Sequence, residues 1–169
     1  MKKPRLFAVA AVGAALALSA SPARPQPQPA GATPRIVGTW RLDPEKSGMH
    51  VPADYVEIRQ YMQRPDGFLV GLLIRGAARG YHYLQFTARS DGRDYPEYSD
   101  QIVSDLIVAG TPTPRTYAET IVDEYVTEWT DKANGRVTGH GRKIVSRDGR
   151  TLTVTVDGST SPPHVYDRQ

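Results

Sequence analysis

From Arg35 to Gln169 the apolar residues fall in short runs rich in Val, Ile, Thr and Tyr, with turn signals about every 8 to 14 residues. Short β-branched runs between Gly, Asp and Asn clusters predict an antiparallel all-β domain. Asp-Gly or Asn-Gly marks five reversals: RPDGF (64–68), RSDGRDYP (89–96), KANGR (132–136), SRDGRT (146–151) and VDGST (156–160). These pairs suit hairpins, because a type I′ turn needs positive φ at both central residues. The runs predict strands over 36–42, 54–62, 68–75, 80–89, 101–108, 115–122, 124–131, 136–146, 151–157 and 163–168. The stretch SDQIVSDLIVAG fits a short helix as well as a strand.

Alternation assigns faces. In TLTVTVDG, Leu152, Val154 and Val156 point one way and the three threonines the other, a half-buried strand with one wet face. FLVGLLIRG is apolar on both faces, and Gly71 inside it predicts a bend or bulge. Ten such strands without room for crossover helices predict an up-and-down barrel of about 8 to 10 strands, since closure removes exposed sheet edges. A two-sheet sandwich is the alternative.

The N-terminus follows another pattern. Lys2, Lys3 and Arg5 precede an apolar run from Leu6 to Leu18, and small residues follow it. That order predicts a cleaved secretory signal peptide over 1–23, too short in its apolar part for a lasting membrane anchor. Cleavage after Ser19, Ser21 or Ala23 fits equally. ARPQPQPAGATP then alternates proline with small or polar residues and predicts an extended linker over 24–34, leaving 35–169 as the barrel domain. The expected location is the bacterial periplasm or the medium.

Without Lys2, Lys3 and Arg5 the 21 basic residues become 18, equal to the 18 acidic ones. A balanced chain with Arg and Asp or Glu interleaved speaks against nucleic acid as a partner. The absence of cysteine excludes disulfides, thiolate metal sites, a Cys nucleophile and a lipidated N-terminal Cys. The fold must stand on its core alone.

Four stretches resemble the small exported bacterial lipocalin-like proteins, members of the wider calycin barrels. VGTWRLDPEKS contains Gly38-Thr39-Trp40, the Gly-x-Trp of the first lipocalin strand, followed by Leu-Asp-x-x-Lys-Ser; SDGRDYP, SRDGRTLTVTVDG and HVYDRQ are similar to later landmarks of the group. The resemblance covers about Ile36 to Gln169. It implies that Trp40 plugs the closed end of the barrel with a basic residue of the last strand over its ring, Arg168 first and Arg142 as the competitor. Gly38, Trp40 and Arg168 are therefore expected to close the barrel. The resemblance also implies non-covalent binding of a small hydrophobic or amphipathic molecule in the lumen, without catalysis or cofactor.

Among the residues, chemistry is sparse. His50, His82, His140 and His164 show no metal-ligand spacing, and no nucleophile elbow, phosphate loop or dinucleotide fingerprint occurs. Asp91, Asp94, Glu97 and Asp100 offer oxygen ligands, but their spacing matches no EF-hand and Arg89 and Arg93 would repel a cation, so no metal is expected. Glu124 and Glu128 fit a solvated hairpin. Nine tyrosines against three phenylalanines suit a cavity for an amphipathic ligand. The candidate lumen residues are His82, Phe86, Tyr125 and Trp129. Two other functions stay open: an envelope interaction module with a collapsed barrel and an exposed Tyr/Arg patch, and a small barrel hydrolase or isomerase using His82.

Overall fold

All five Gly-containing turns fall where the chain reverses. In the third, Asn134 and Gly135 take φ of 50° and 72°, as a type I′ hairpin requires. The computed structural model describes residues 35–169; the expected signal peptide and linker lie outside the described residues. The strands are β1 (Gly38–Leu42), β2 (Val56–Gln63), β3 (Leu69–Ala77), β4 (Gly80–Ala88), β5 (Tyr95–Ser99), β6 (Arg115–Ile121), β7 (Val126–Ala133), β8 (Arg136–Val145), β9 (Thr151–Val154) and β10 (His164–Arg168). Each pairs antiparallel with its sequence neighbour, and β1 closes on β10. The fold is an all-β, ten-stranded up-and-down barrel, and the sandwich alternative falls.

The strand expected over 101–108 is instead helix α1 (Asp100–Ala109). Asp100 places a carboxylate in its first turn, where the helix dipole favours it. Gly110 ends the helix in the left-handed conformation, its N–H donating to the Leu106 carbonyl at 3.0 Å. The missing strand is β5, hidden in the tail of the fourth-to-fifth strand turn. Pro96 lies inside it, paired with Thr116, and has no N–H for the ladder, so only Tyr95↔Tyr117 and Pro96↔Thr116 join β5 to β6.

Gly71 makes no bulge, since β3 and β4 pair without a break from Leu69↔Ala88 to Ala77↔Gly80. Its role is space: a Cβ there would lie 2.2 Å from the Phe86 ring, which packs across the bare backbone. The register shift occurs between Asp131 and Lys132 of β7.

One end of the barrel is packed shut around Ile36, Trp40, Leu69, Val145 and Leu152, all buried. Full burial of each large apolar side chain contributes about 2 to 3 kcal/mol. Trp40 donates to the Ile36 carbonyl at 2.8 Å, and the Arg168 guanidinium lies 4.1 Å over its ring. Arg168 also donates to the carbonyls of Gly149, Val37 and Arg35 at 2.6, 2.9 and 2.8 Å. Gly38, at φ 140°, completes the arrangement, because a Cβ there would stand 2.5 Å from the guanidinium. Arg142, the competing partner for Trp40, instead bonds Glu128 across β7 and β8 at 2.9 Å.

Candidate functional site

The opposite end, beside α1, opens into a lumenal cavity of about 390 Å³. Strand alternation delivers its lining. On the apolar side, Leu73 and Leu84 are cross-strand partners on β3 and β4, with Phe86 below them. Phe86 stacks on Tyr117 with ring centroids 3.6 Å apart.

The cavity floor is charged. Lys143, fully buried, donates to Glu119 at 2.6 Å and to the Tyr117 hydroxyl, which in turn donates to Glu119. Its ammonium also lies 4.8, 5.2 and 4.9 Å from the ring centres of Tyr61, Phe86 and Tyr117. A buried ion pair stands only when desolvation is offset by such contacts.

A second network lines the β2 and β10 side. Arg59 Nε donates to the Tyr166 hydroxyl at 2.8 Å, and Tyr166 and Tyr55 donate to the two oxygens of Glu57 at 2.5 and 2.8 Å. Burial pushes the Glu57 carboxyl up, but His164, Arg59 and the two tyrosines outweigh it and hold the pKa at about 2. Burial raises the Tyr166 hydroxyl far above its usual range.

Glu97 and Ser99 of β5, Arg115 of β6 and Trp129 and Asp131 of β7 form the remaining wall. Asp131 follows Trp129 on the inward face of β7, and the register shift just after it leaves Thr138 of β8 without a partner in the ladder. Among the described residues, Ser99 Oγ, Arg115 Nε, Trp129 Nε1 and Asp131 Oδ1 have no hydrogen-bond partner. Burial first, then repulsion from Glu97, raises the Asp131 carboxyl to about 6, against the pull of Lys143, Arg59 and Arg115. Burial also raises Glu97.

Of the four residues proposed for the lumen, the structure brings three to the cavity: Phe86 at depth, Trp129 on the polar wall and His82 at the mouth. His82 is largely exposed there, with Nδ1 2.6 Å from Asp100 Oδ2. Tyr125 is not with them. It precedes β7 at the closed end, where Arg147 and Arg35 lie 4.1 and 5.2 Å over its ring. The four acids weighed as a calcium site disperse: Asp91 meets Tyr95, Asp94 meets Lys132, Asp100 meets His82, and Glu97 enters the lumen. Glu124 and Glu128 are exposed and pair with Arg35 and Arg142.

The lumenal residues that sequence reasoning missed are the charged ones: Arg59, Arg115, Asp131 and Lys143, together with Glu97, which was weighed only as a calcium ligand. The available signal was alternation, since Arg59 shares a face with Tyr61, and Lys143 with Val145. In searches against models of known protein families and against curated proteins, the chain matches none.

Proposed function

We propose that this barrel is an exported lipocalin-like binding protein that holds a small amphipathic molecule, without covalent chemistry, in its lumen. The observation that carries the reading is the two-sided cavity of about 390 Å³, apolar along β3 and β4 and polar along β5 to β7. Volumes of this order suit small ligands, and a few convergent polar groups in a partly apolar pocket fix their orientation. The polar wall favours an amphipathic ligand over a purely hydrophobic one, because burying unpartnered polar groups under hydrocarbon alone is costly. Phe86 and Trp129 supply aromatic surface, and His82 with Asp100 stands at the entrance. The signal-like N-terminus supports export to the periplasm or the medium.

The interaction-module alternative draws on exposed Ile74, Tyr81, Tyr83 and Tyr98 on the outer wall. A hollow lumen weighs against the collapsed barrel that reading requires. The test is native mass spectrometry of protein purified gently from its own host, with release of anything bound. A stoichiometric amphipathic molecule is the expected result. An apo mass, together with failure to bind simple alkyl alcohols, acids and amines, would overturn the reading.

A further inference from the structure

Three half-buried side chains of one wall carry both kinds of unpartnered polar atom. Trp129 and Asp131 share the inward face of β7, and because Tyr117 pairs with Asp131, Arg115 of β6 is the diagonal neighbour of Asp131. All three residues line the cavity. Among the described residues Arg115 Nε and Trp129 Nε1 are donors without an acceptor, and Asp131 Oδ1 is an acceptor without a donor. These atoms are closed to solvent, so a head group onto which the side chains turn gains hydrogen bonds that displace none to water. Glu97 and Ser99 stand apart from this set. Burial pushes the Glu97 carboxyl up, and Ser99 and then Arg115 draw it down, so Ser99 is taken up by its strand neighbour.

The charges on this wall answer one another. Burial and then Glu97 raise the Asp131 carboxyl, while Lys143, Arg59 and Arg115 pull it down. Glu119 and Glu57 sit against Lys143 and Arg59. At the mouth Arg75 adds a cation, and His82 meets Asp100. An ammonium head would therefore face three cations, and a carboxylate head would face Glu97 and Asp131, so neither finds an unanswered counter-charge.

A hydroxyl has two lone pairs and one O–H, and a carboxamide has two carbonyl lone pairs and its own N–H donors. Either head can accept from Arg115 Nε and Trp129 Nε1 while it donates to Asp131 Oδ1. The apolar surface of Leu73, Leu84 and Phe86 lies across the cavity for the rest of such a molecule. We infer that the lumen selects amphiphiles with an uncharged head that both accepts and donates hydrogen bonds, seated on Arg115, Trp129 and Asp131, with the apolar tail along β3 and β4. The inference rests on the lumenal-binding reading and specifies its ligand class.

The test is calorimetric titration of the protein, purified from its own host and freed of anything bound, with octanol, octanamide, 1-methoxyoctane, octylamine and octanoate at neutral pH. The better of octanol and octanamide is expected to exceed the ether, the amine and the carboxylate about tenfold or more, and which of the two leads identifies the head. Asp131→Ala removes the acceptor, and the affinity ratio of that ligand to the ether should fall to about one. Should this variant fail to fold, Asp131→Asn, which exchanges a charged acceptor for a neutral one, should lower the ratio several-fold. An ether, amine or carboxylate that binds as tightly as the alcohol and the amide, or a preference over the ether that survives the substitution, would overturn the head assignment and leave lumenal binding standing. Failure of all the probes to bind would overturn both.

Discussion

Lys143 lies buried among three aromatic rings with Glu119 against it, so removing it would strand a buried charge. Lys143→Met leaves Glu119 buried without its cation and should destabilise the fold by about 3 to 5 kcal/mol in denaturant unfolding. Adding Glu119→Gln removes the orphaned charge and should restore most of that loss. Arg168→Ala deletes the guanidinium over Trp40 and strands three carbonyls, an expected loss of about 2 to 3 kcal/mol that Arg168→Lys recovers only in part. Asp131 acts in the opposite sense. The native state keeps its proton up to about pH 6, whereas the unfolded chain releases it near 3.8, so between those values native protein binds more protons and stability falls as pH rises. Asp131→Asn should therefore raise the melting temperature above pH 6 and leave it unchanged below pH 4. Glu57, held at about 2 from 4.5, contributes stability that is present above pH 4.5 and lost as pH falls toward 2. Trp40 was legible through the Gly-x-Trp pattern at Gly38-Thr39-Trp40, and the resemblance carried by that pattern implied Arg168 as its partner, with Arg142 as the competitor. Asp131 and Glu97 were not, because inward charges break the hydrophobic alternation from which faces are assigned.

Among the elements, the hairpins were legible wherever Asp-Gly or Asn-Gly supplied positive φ. The failure at 95–110 has a specific cause: Pro96 and the preceding Asp-Gly disguise β5 as turn, and the apolar spacing of α1 suits either period. The same proline leaves a thin seam between β5 and β6, with two paired positions against seven between β6 and β7. The helix beside this seam has no buried residue and leaves Val103, Leu106, Ile107 and Val108 exposed. Few buried contacts and few ladder bonds mean low local stability. Amide hydrogen exchange should show α1 and β5 losing protection well before β2, β3 and β8. Gly71 illustrates a limit of another kind. A strand glycine signals a close approach, but only the paired partner, Phe86, tells whether backbone or side chain takes the space.

At the scale of the molecule, a barrel closed by Trp40 and Arg168 at one end and open beside α1 at the other explains where the cavity lies. Closure satisfies the strand edges, and the interior is divided between an aliphatic wall and a charged wall. The two tryptophans occupy opposite ends of this arrangement, Trp40 sealed in the closed end and Trp129 on the cavity wall. That separation permits a direct test of lumenal binding, by titrating the protein with 2-bromodecan-1-ol, whose bromine beside the hydroxyl head reaches the Trp129 wall and quenches tryptophan emission only at contact range. Saturable quenching at one molecule per barrel is expected in the wild type, lost in Trp129→Phe while the Trp40 emission persists. Absence of saturable quenching, or equal quenching in Trp129→Phe, would contradict lumenal binding.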